Sequence, residues 1–221
     1  NAFYVFPAIP VSCSTLIPTR CLTKARASKE RQVCRKMPSS VVGVLLAGGQ
    51  SRRMGGGDKC LRMLGGETIL SRVIARASPQ VETLVLNANG DPKRFSSFSL
   101  PIAPDVVAGF HGPLAGILTG LEWAAANVAG AQSIVTFPVD APFFPVDLVS
   151  RFEAAVEGLT SCLVCASSAG RTHPVFGLWP LSLAGNLRTA LVDDEMRKID
   201  AWTALHDLVE VSFSAEPFDP F

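Results

Sequence analysis

No excess of basic charge marks this chain of 221 residues: 20 Lys and Arg stand against 19 Asp and Glu, a formal net charge of +1. Nucleic-acid-binding domains usually carry a marked basic surplus, so a nucleic acid is not the expected partner. No apolar run reaches the roughly 20 residues of a membrane span, so no membrane is expected either. The six cysteines are too sparse for a disulfide scaffold in a chain of this length. Cys162 and Cys165 form a C-x-x-C, but no second Cys/His pair lies at zinc spacing. They sit in the apolar run 161–166, where a strand would turn positions three apart to opposite faces. Two inert core thiols are the expectation. No Ser-His-Asp or Cys-His arrangement is visible, so no covalent enzyme intermediate is called for.

What remains is 48% hydrophobic, enough for one globular domain with a substantial core. Residues 1–40 stand apart. They show no sustained period of 2 or 3.6, and Arg20, Lys24, Arg26, Lys29, Arg31, Arg35 and Lys36 face one acid, Glu30. This segment is read as a disordered leader or an extension upstream of the true start, with Met37 directly before the first strand.

From Val41 onward the pattern alternates. Apolar runs read as strands over 41–46, 81–87, 100–103, 133–138, 161–166, 175–178 and 209–213. Helical spacing covers 68–77, 113–127, 145–156, 181–192 and 201–205, with Pro113 suited to a first helical turn. Strands alternating with helices predict a three-layer, Rossmann-like α/β fold, its mainly parallel central sheet flanked by helices. Ligands bind beyond the carboxyl ends of such strands. The polar residues at Ala47–Lys59, Asn87, Asp105 and Asp140 all follow strands, so they should share one cleft.

The loop Leu46-Ala-Gly-Gly-Gln-Ser-Arg-Arg-Met-Gly-Gly-Gly-Asp-Lys59 is the most informative stretch. Glycines let a backbone approach a phosphate and offer it N–H donors. Arg53 and Lys59 add the positive charge that a polyphosphate and a leaving pyrophosphate need. It is not a P-loop: Asp58 precedes the lysine and Cys60 follows it, so the metal-binding hydroxyl is missing. Nor is it the dinucleotide motif, because Gly48 and Gly49 are adjacent and a long basic loop intervenes before any helix.

Asp140, flanked by Pro138 and Pro142, suits a magnesium-binding carboxylate or the cap of a following helix. Asp105 could accept from a base or ribose, or cap a turn. Gly112 and Pro113 open a helix whose N-terminus favours anions. His111 precedes it, but phosphoryl-type transfer relies mainly on positioning and charge stabilisation. His173 faces the cleft or is structural. Asp193, Asp194 and Glu195 read as a solvated helix end.

Leu-Ala-Gly-Gly-x-Ser-x-Arg-Met-Gly-x-x-Asp-Lys closely resembles the signature loop of the molybdenum cofactor guanylyltransferases. These belong to a larger group of nucleotidyltransferases that includes sugar-phosphate enzymes. Further matches follow in order: Leu86-Asn-Ala-Asn89, Asp105, His111-Gly-Pro-Leu-Ala-Gly116, Phe137-Pro-Val-Asp-Ala-Pro-Phe143 and His173-Pro174. The resemblance covers about residues 41–214. It implies transfer of GMP from GTP to molybdopterin carrying molybdenum, with magnesium and release of pyrophosphate. It implies that Leu46, Ala47, Gly48 and Gly49 contact the nucleotide and that Lys59 and Arg53 bind its phosphates. On the same basis Asn87 and Asp105 help hold the guanosine part, Asp140 holds the metal and contacts the phosphates, and Gly112 meets the nucleotide at the helix start. Molybdoenzymes or cofactor-delivery proteins are the implied recipients, and the cytoplasm the implied location. Members of the family continue into an Asn-x-Asn-Thr-Pro segment, whereas this sequence stops at Phe218-Asp-Pro-Phe221, so the domain 41–221 is expected to be C-terminally incomplete. The rivals are a cytidylyltransferase of the same cofactor, a sugar-phosphate nucleotidyltransferase, and a nucleotide-binding adaptor without catalysis.

Overall fold

The computed structural model describes residues 41–47, 58–109, 112–159 and 161–221. The elements run in this order: β1 Val41–Leu46, β2 Met63–Leu64, β3 Glu67–Thr68, α1 Ile69–Ala77, β4 Thr83–Asn87, β5 Ile102–Ala103, α2 Pro113–Asn127 and β6 Ser133–Pro138. There follow α3 Leu148–Ala155, β7 Leu163–Ser168, β8 Arg171–Pro180, α4 Ala184–Val192, α5 Ile199–Thr203 and β9 Leu208–Phe213. Among the described residues seven strands form one sheet in the order β5-β4-β1-β6-β8-β7-β9, and β2 and β3 make a small separate ribbon. Every pairing between β5, β4, β1 and β6 is parallel. Only β8 runs against its neighbours β6 and β7, and β9 is again parallel to β7. The mainly parallel α/β sheet predicted from the sequence is the sheet observed.

The continuous apolar strands follow from burial on both faces. Along β1, Val41 and Leu45 join a core cluster with Leu70 and Val73 of α1 and Leu148 and Phe152 of α3. Val42 and Val44, turned the other way by the period of two, join Leu114, Ile117, Leu118 and Leu121 of α2 and Leu187 and Leu191 of α4. Helix α1 starts where the Thr68 hydroxyl accepts the Ser71 N–H at 3.0 Å, an N-cap bond. It buries Leu70, Val73 and Ala77, one stripe of its surface. Helix α2 is wedged between sheet and α4, and all eight residues from Leu114 to Leu121 are buried. No helix among the described residues is long and apolar enough to cross a membrane.

Several boundaries differ from the sequence reading. The strand expected over 161–166 is shifted to Leu163–Ser168, so Cys162 lies just before it, half-buried, and Cys165 within it, buried. Burial pushes the Cys165 thiol up to about 11, with Glu210 and Asp200 adding to the shift. Helix α3 starts at Leu148, with Asp147 as its N-cap residue, and not at Pro145. The strand expected over 175–178 spans Arg171–Pro180 because it is the second arm of a hairpin. Ser168 pairs with Arg171, leaving Ala169 and Gly170 as a two-residue turn. Both have positive φ, 46° and 73°, the requirement of the turn that matches strand twist. Glycine meets it freely, whereas alanine does not. Ala169→Asn, which tolerates this conformation better, should therefore raise stability by about 0.5–1 kcal/mol. The check is a denaturant titration, in which the midpoint should move up at constant slope.

Candidate active site

The carboxyl ends of β1, β4, β5 and β6 lie side by side, and a cavity of about 270 Å³ opens beyond them. Parallel ladder bonds continue past the strand ends. The Ala47 N–H donates to the Asn87 carbonyl at 2.9 Å, Ala88 N–H to Ala103 at 3.2 Å, and Val139 N–H to Leu46 at 3.3 Å. The backbone at the cavity floor is thereby fixed before any loop begins. Leu46 and Ala47 line the cavity from β1, Lys59 from the far end of the glycine loop, and Asn87 and Asp105 from β4 and the segment after β5. Gly112 and Gly116 contribute from the start of α2, Asp140 from the end of β6, and Val175 from β8. Seven of the residues singled out in the sequence thus meet in one place: Leu46, Ala47, Lys59, Asn87, Asp105, Gly112 and Asp140. Gly48, Gly49 and Arg53 lie outside the described residues, as does His111.

Two polar lining residues, Asn87 and Asp105, are held together with a third side chain, Asn89. Asn87 is only 2% exposed, so its amide must find partners within the protein. Its Nδ2 donates to the Ala103 carbonyl at 3.1 Å and to Asp105 Oδ1 at 2.9 Å. Asn89 Nδ2 donates to Asp105 Oδ2 at 2.7 Å, and Asn89 Oδ1 accepts the Asp105 backbone N–H at 2.9 Å. Each carboxylate oxygen of Asp105 thus holds one protein donor and keeps a lone pair for a ligand. Asp105 does not merely cap a turn. The next residue is fastened to α2, where buried Thr119 accepts the Val106 N–H at 3.0 Å and donates to Ala115 at 2.8 Å.

Two further charged residues, Lys59 and Asp140, line the same cavity. Lys59 opens a short 3-10 turn, Lys59–Leu61, and its side chain is exposed. Beside it Cys60 is buried, and desolvation, reinforced by the Asp58 charge, pushes its thiol up to about 11. A thiol so shifted is no nucleophile at neutral pH. Asp140 is exposed on the turn after β6, and the helix that it might have capped begins only at Leu148. Its carboxylate is therefore not engaged as a helix cap.

His173 belongs to a different cluster. Ser168 Oγ donates to Asp219 Oδ1 at 2.8 Å and is 2.7 Å from His173 Nε2. With the single hydroxyl proton directed to Asp219, the Nε2–H is the donor to the serine oxygen. Proton donation runs from His to Ser to Asp, the reverse of what activates a serine nucleophile. The imidazole also stacks on Phe221, ring centroids 5.0 Å apart. Burial lowers the His173 pKa most, with Asp219 opposing and Arg171 assisting. The arrangement fastens the segment after β9 to the sheet.

A family model for the MobA-like NTP transferase domain matches residues 43–208. The chain belongs to that family. A molybdenum cofactor guanylyltransferase of Bradyrhizobium sp. is 50% identical over 183 residues, covering 83% of this chain and 86% of its own. Another, of Nitrobacter hamburgensis, is 52% identical over 179 residues, covering 81% and 86%. The crystal structure of molybdopterin-guanine dinucleotide biosynthesis protein A from Archaeoglobus fulgidus matches with a TM-score of 0.61 at 22% identity, over 77% of this chain and 83% of that one. At that identity the likeness concerns the fold alone.

Two residues that the sequence names without a role, Asn89 and Gly116, complete the setting of Asn87 and Asp105. Asn89 shares a strand-like spacing of two with Asn87, which brings both amides to Asp105. Gly116 admits the Asn87 amide: a Cβ there would overlap Asn87 Oδ1 and lie 2.8 Å from Leu46 Cδ2. Gly116→Ala should displace the amide and free Asp105. Loss of a charge-assisted hydrogen bond corresponds to a rise in nucleotide Kd of about tenfold or more. Calorimetry on the folded variant checks this, and an unchanged Kd would detach Asn87 from binding.

Proposed function

We propose that the chain transfers GMP from GTP to the molybdopterin-bound molybdenum cofactor and releases pyrophosphate. The observation that carries this is the convergence of an amide-braced Asp105, Lys59 and Asp140 on one cavity beyond four parallel strands. The guanylyltransferases about half identical to this chain support the choice of reaction.

Guanine offers two adjacent donors on one edge, its ring N–H and its exocyclic amino group, whereas cytosine offers one amino donor beside acceptors. A carboxylate with a lone pair left on each oxygen suits the former, so Asp105, held by Asn87 and Asn89, is assigned to the guanosine part. Leu46, Ala47, Gly48 and Gly49 are assigned to close backbone approach along the nucleotide, and Gly112 to the helix end facing it. A phosphate oxygen of the molybdopterin attacks the α-phosphorus of GTP, and the bond to pyrophosphate breaks. Lys59 and Arg53 offset the charge that builds on the departing phosphates.

Asp140 is the residue assigned to magnesium. Among the described residues no group of three or more His, Cys, Asp or Glu side chains is placed to hold a metal ion. A single exposed carboxylate fits a cation that takes one or two protein carboxylates and completes its shell with water and substrate phosphates. Bound there, the ion neutralises and aligns phosphate oxygens. The same reading puts the chain in the cytoplasm, with molybdoenzymes or cofactor-delivery proteins receiving the product.

Calorimetry of the full chain with GTP, CTP and ATP, with and without magnesium, tests the assignment: GTP selectivity supports it, and CTP preference would replace it with a cytidylyltransferase. Asp140→Ala should lower magnesium-dependent turnover by about 10²-fold or more with the fold intact. Lys59→Ala should raise the KM for GTP by about tenfold. Steady-state kinetics with a circular dichroism control measures both, and a folded, fully active Asp140→Ala protein would remove the metal assignment.

A further inference from the structure

Arg94 lies in the 3-10 segment Pro92–Phe98 after β4, outside every motif discussed so far. Its guanidinium lies over the ring of Phe95, 4.7 Å from the centroid. Phe95 is 2% exposed and part of the core, so it is a fixed support. From that position the Arg94 Nε is 3.2 Å from Asp58 Oδ2, and Nη2 donates to the Asn89 carbonyl. One planar group therefore connects Asp58, which lines the cavity, to Asn89, which holds the lining residue Asp105. Asp58 immediately precedes Lys59 at the exit of the glycine loop. Asn89 is the residue whose side chain brackets Asp105.

The two ends are held differently. Asn87 and Ala47 are tied to the sheet by ladder bonds. Asp58 comes well after β1; its backbone carbonyl accepts the Leu61 N–H at 3.1 Å, and the short turn that follows is seated in the core by the buried Cys60. Its carboxylate reaches the rest of the fold through Arg94. A nucleotide held by its base on one side and its phosphates on the other needs a fixed distance between the two grips. We propose that Arg94 is a positioning residue that sets this distance by linking Asp58, and with it Lys59, to the Asn89–Asp105 pair. The inference rests on the nucleotidyl-transfer reading for its consequence in catalysis, but the linkage itself is a property of the free protein.

Lysine would not serve. The two acceptors are met by different nitrogens of one rigid fork, whereas an ammonium is a single point charge on a flexible stem. The side chains of Arg94 and Asp58 are 34% and 23% exposed, and a partly solvated ion pair contributes little to global stability. Its loss should therefore alter local order and nucleotide use while leaving the melting temperature almost unchanged.

The test compares the full wild-type chain with Arg94→Ala, Arg94→Lys, Asp58→Ala and the Arg94→Ala/Asp58→Ala double variant. In the ligand-free protein, amide hydrogen exchange over 58–62 and over 103–107 should rise together in Arg94→Ala, about fivefold. With nucleotide, Arg94→Ala should raise KM about five- to tenfold while kcat changes less than about twofold. Arg94→Lys should recover only part of this. The double variant should lose no more than the worse single one, since both residues act through one link. Exchange that rises at only one segment or at neither, an unchanged KM, additive losses, or full recovery by Arg94→Lys would each overturn the proposal. If wild-type protein prefers CTP or binds no nucleotide, the guanylyltransferase reading fails. The KM comparison then moves to CTP in the first case, and in the second the exchange result alone decides on Arg94.

Discussion

A buried side-chain amide must satisfy its hydrogen-bonding groups inside the protein, and the amide of Asn87 meets that demand in a way that fixes its surroundings. One donor proton goes to the backbone after β5 and the other to Asp105. Its oxygen abuts Gly116, where no side chain would fit. One residue thus ties β4 to the segment around β5 and abuts α2 at the floor of the cavity. The carboxylate of Asp105 inherits that fixity, which the base contact proposed for it requires.

The site combines two kinds of support. Ala47, Asn87 and Asp140 sit at or beside strand ends, where the parallel ladder fixes them. Lys59 stands on a short turn without sheet pairing, and its neighbour Asp58 reaches the scaffold through a side-chain contact. The first kind holds a residue through backbone pairing, the second through the seat of Cys60 in the core and the Asp58–Arg94 ion pair.

Much of this was legible in the sequence, because apolar runs and the residues just beyond them report directly on a sheet buried on both faces. The strands over 41–46 and 133–138 and the helix over 113–127 needed no correction. Seven candidate residues converged because a parallel sheet puts all its carboxyl ends on one edge. The hairpin of β7 and β8 was missed because alanine occupies a turn position that normally announces itself with asparagine or aspartate. The start of α3 was misjudged because Pro145 suggested a first helical turn that begins three residues later. Asn89 and Gly116 stand in the sequence motifs without a role and Arg94 stands in none, since their roles exist only between segments far apart in the chain. Sequence periodicity speaks of an element's own neighbours and not of such meetings.

The direction of β8 has a consequence for how the cleft can vary. Because this strand runs against β6, its early part, and not a connecting loop, arrives at the edge where the parallel strands finish. Val175 lines the cavity from within that strand. Val175 falls in the stretch 174–176, between the pairs Cys165–Gly177 and Ala166–His173, where β8 carries three residues more than β7 opposite it. Extra length on this flank of the cavity is thus taken up inside the strand, while the regular pairs on either side, Val164–Leu178 and Ser167–Thr172, hold the bulge at a fixed place beside the cleft.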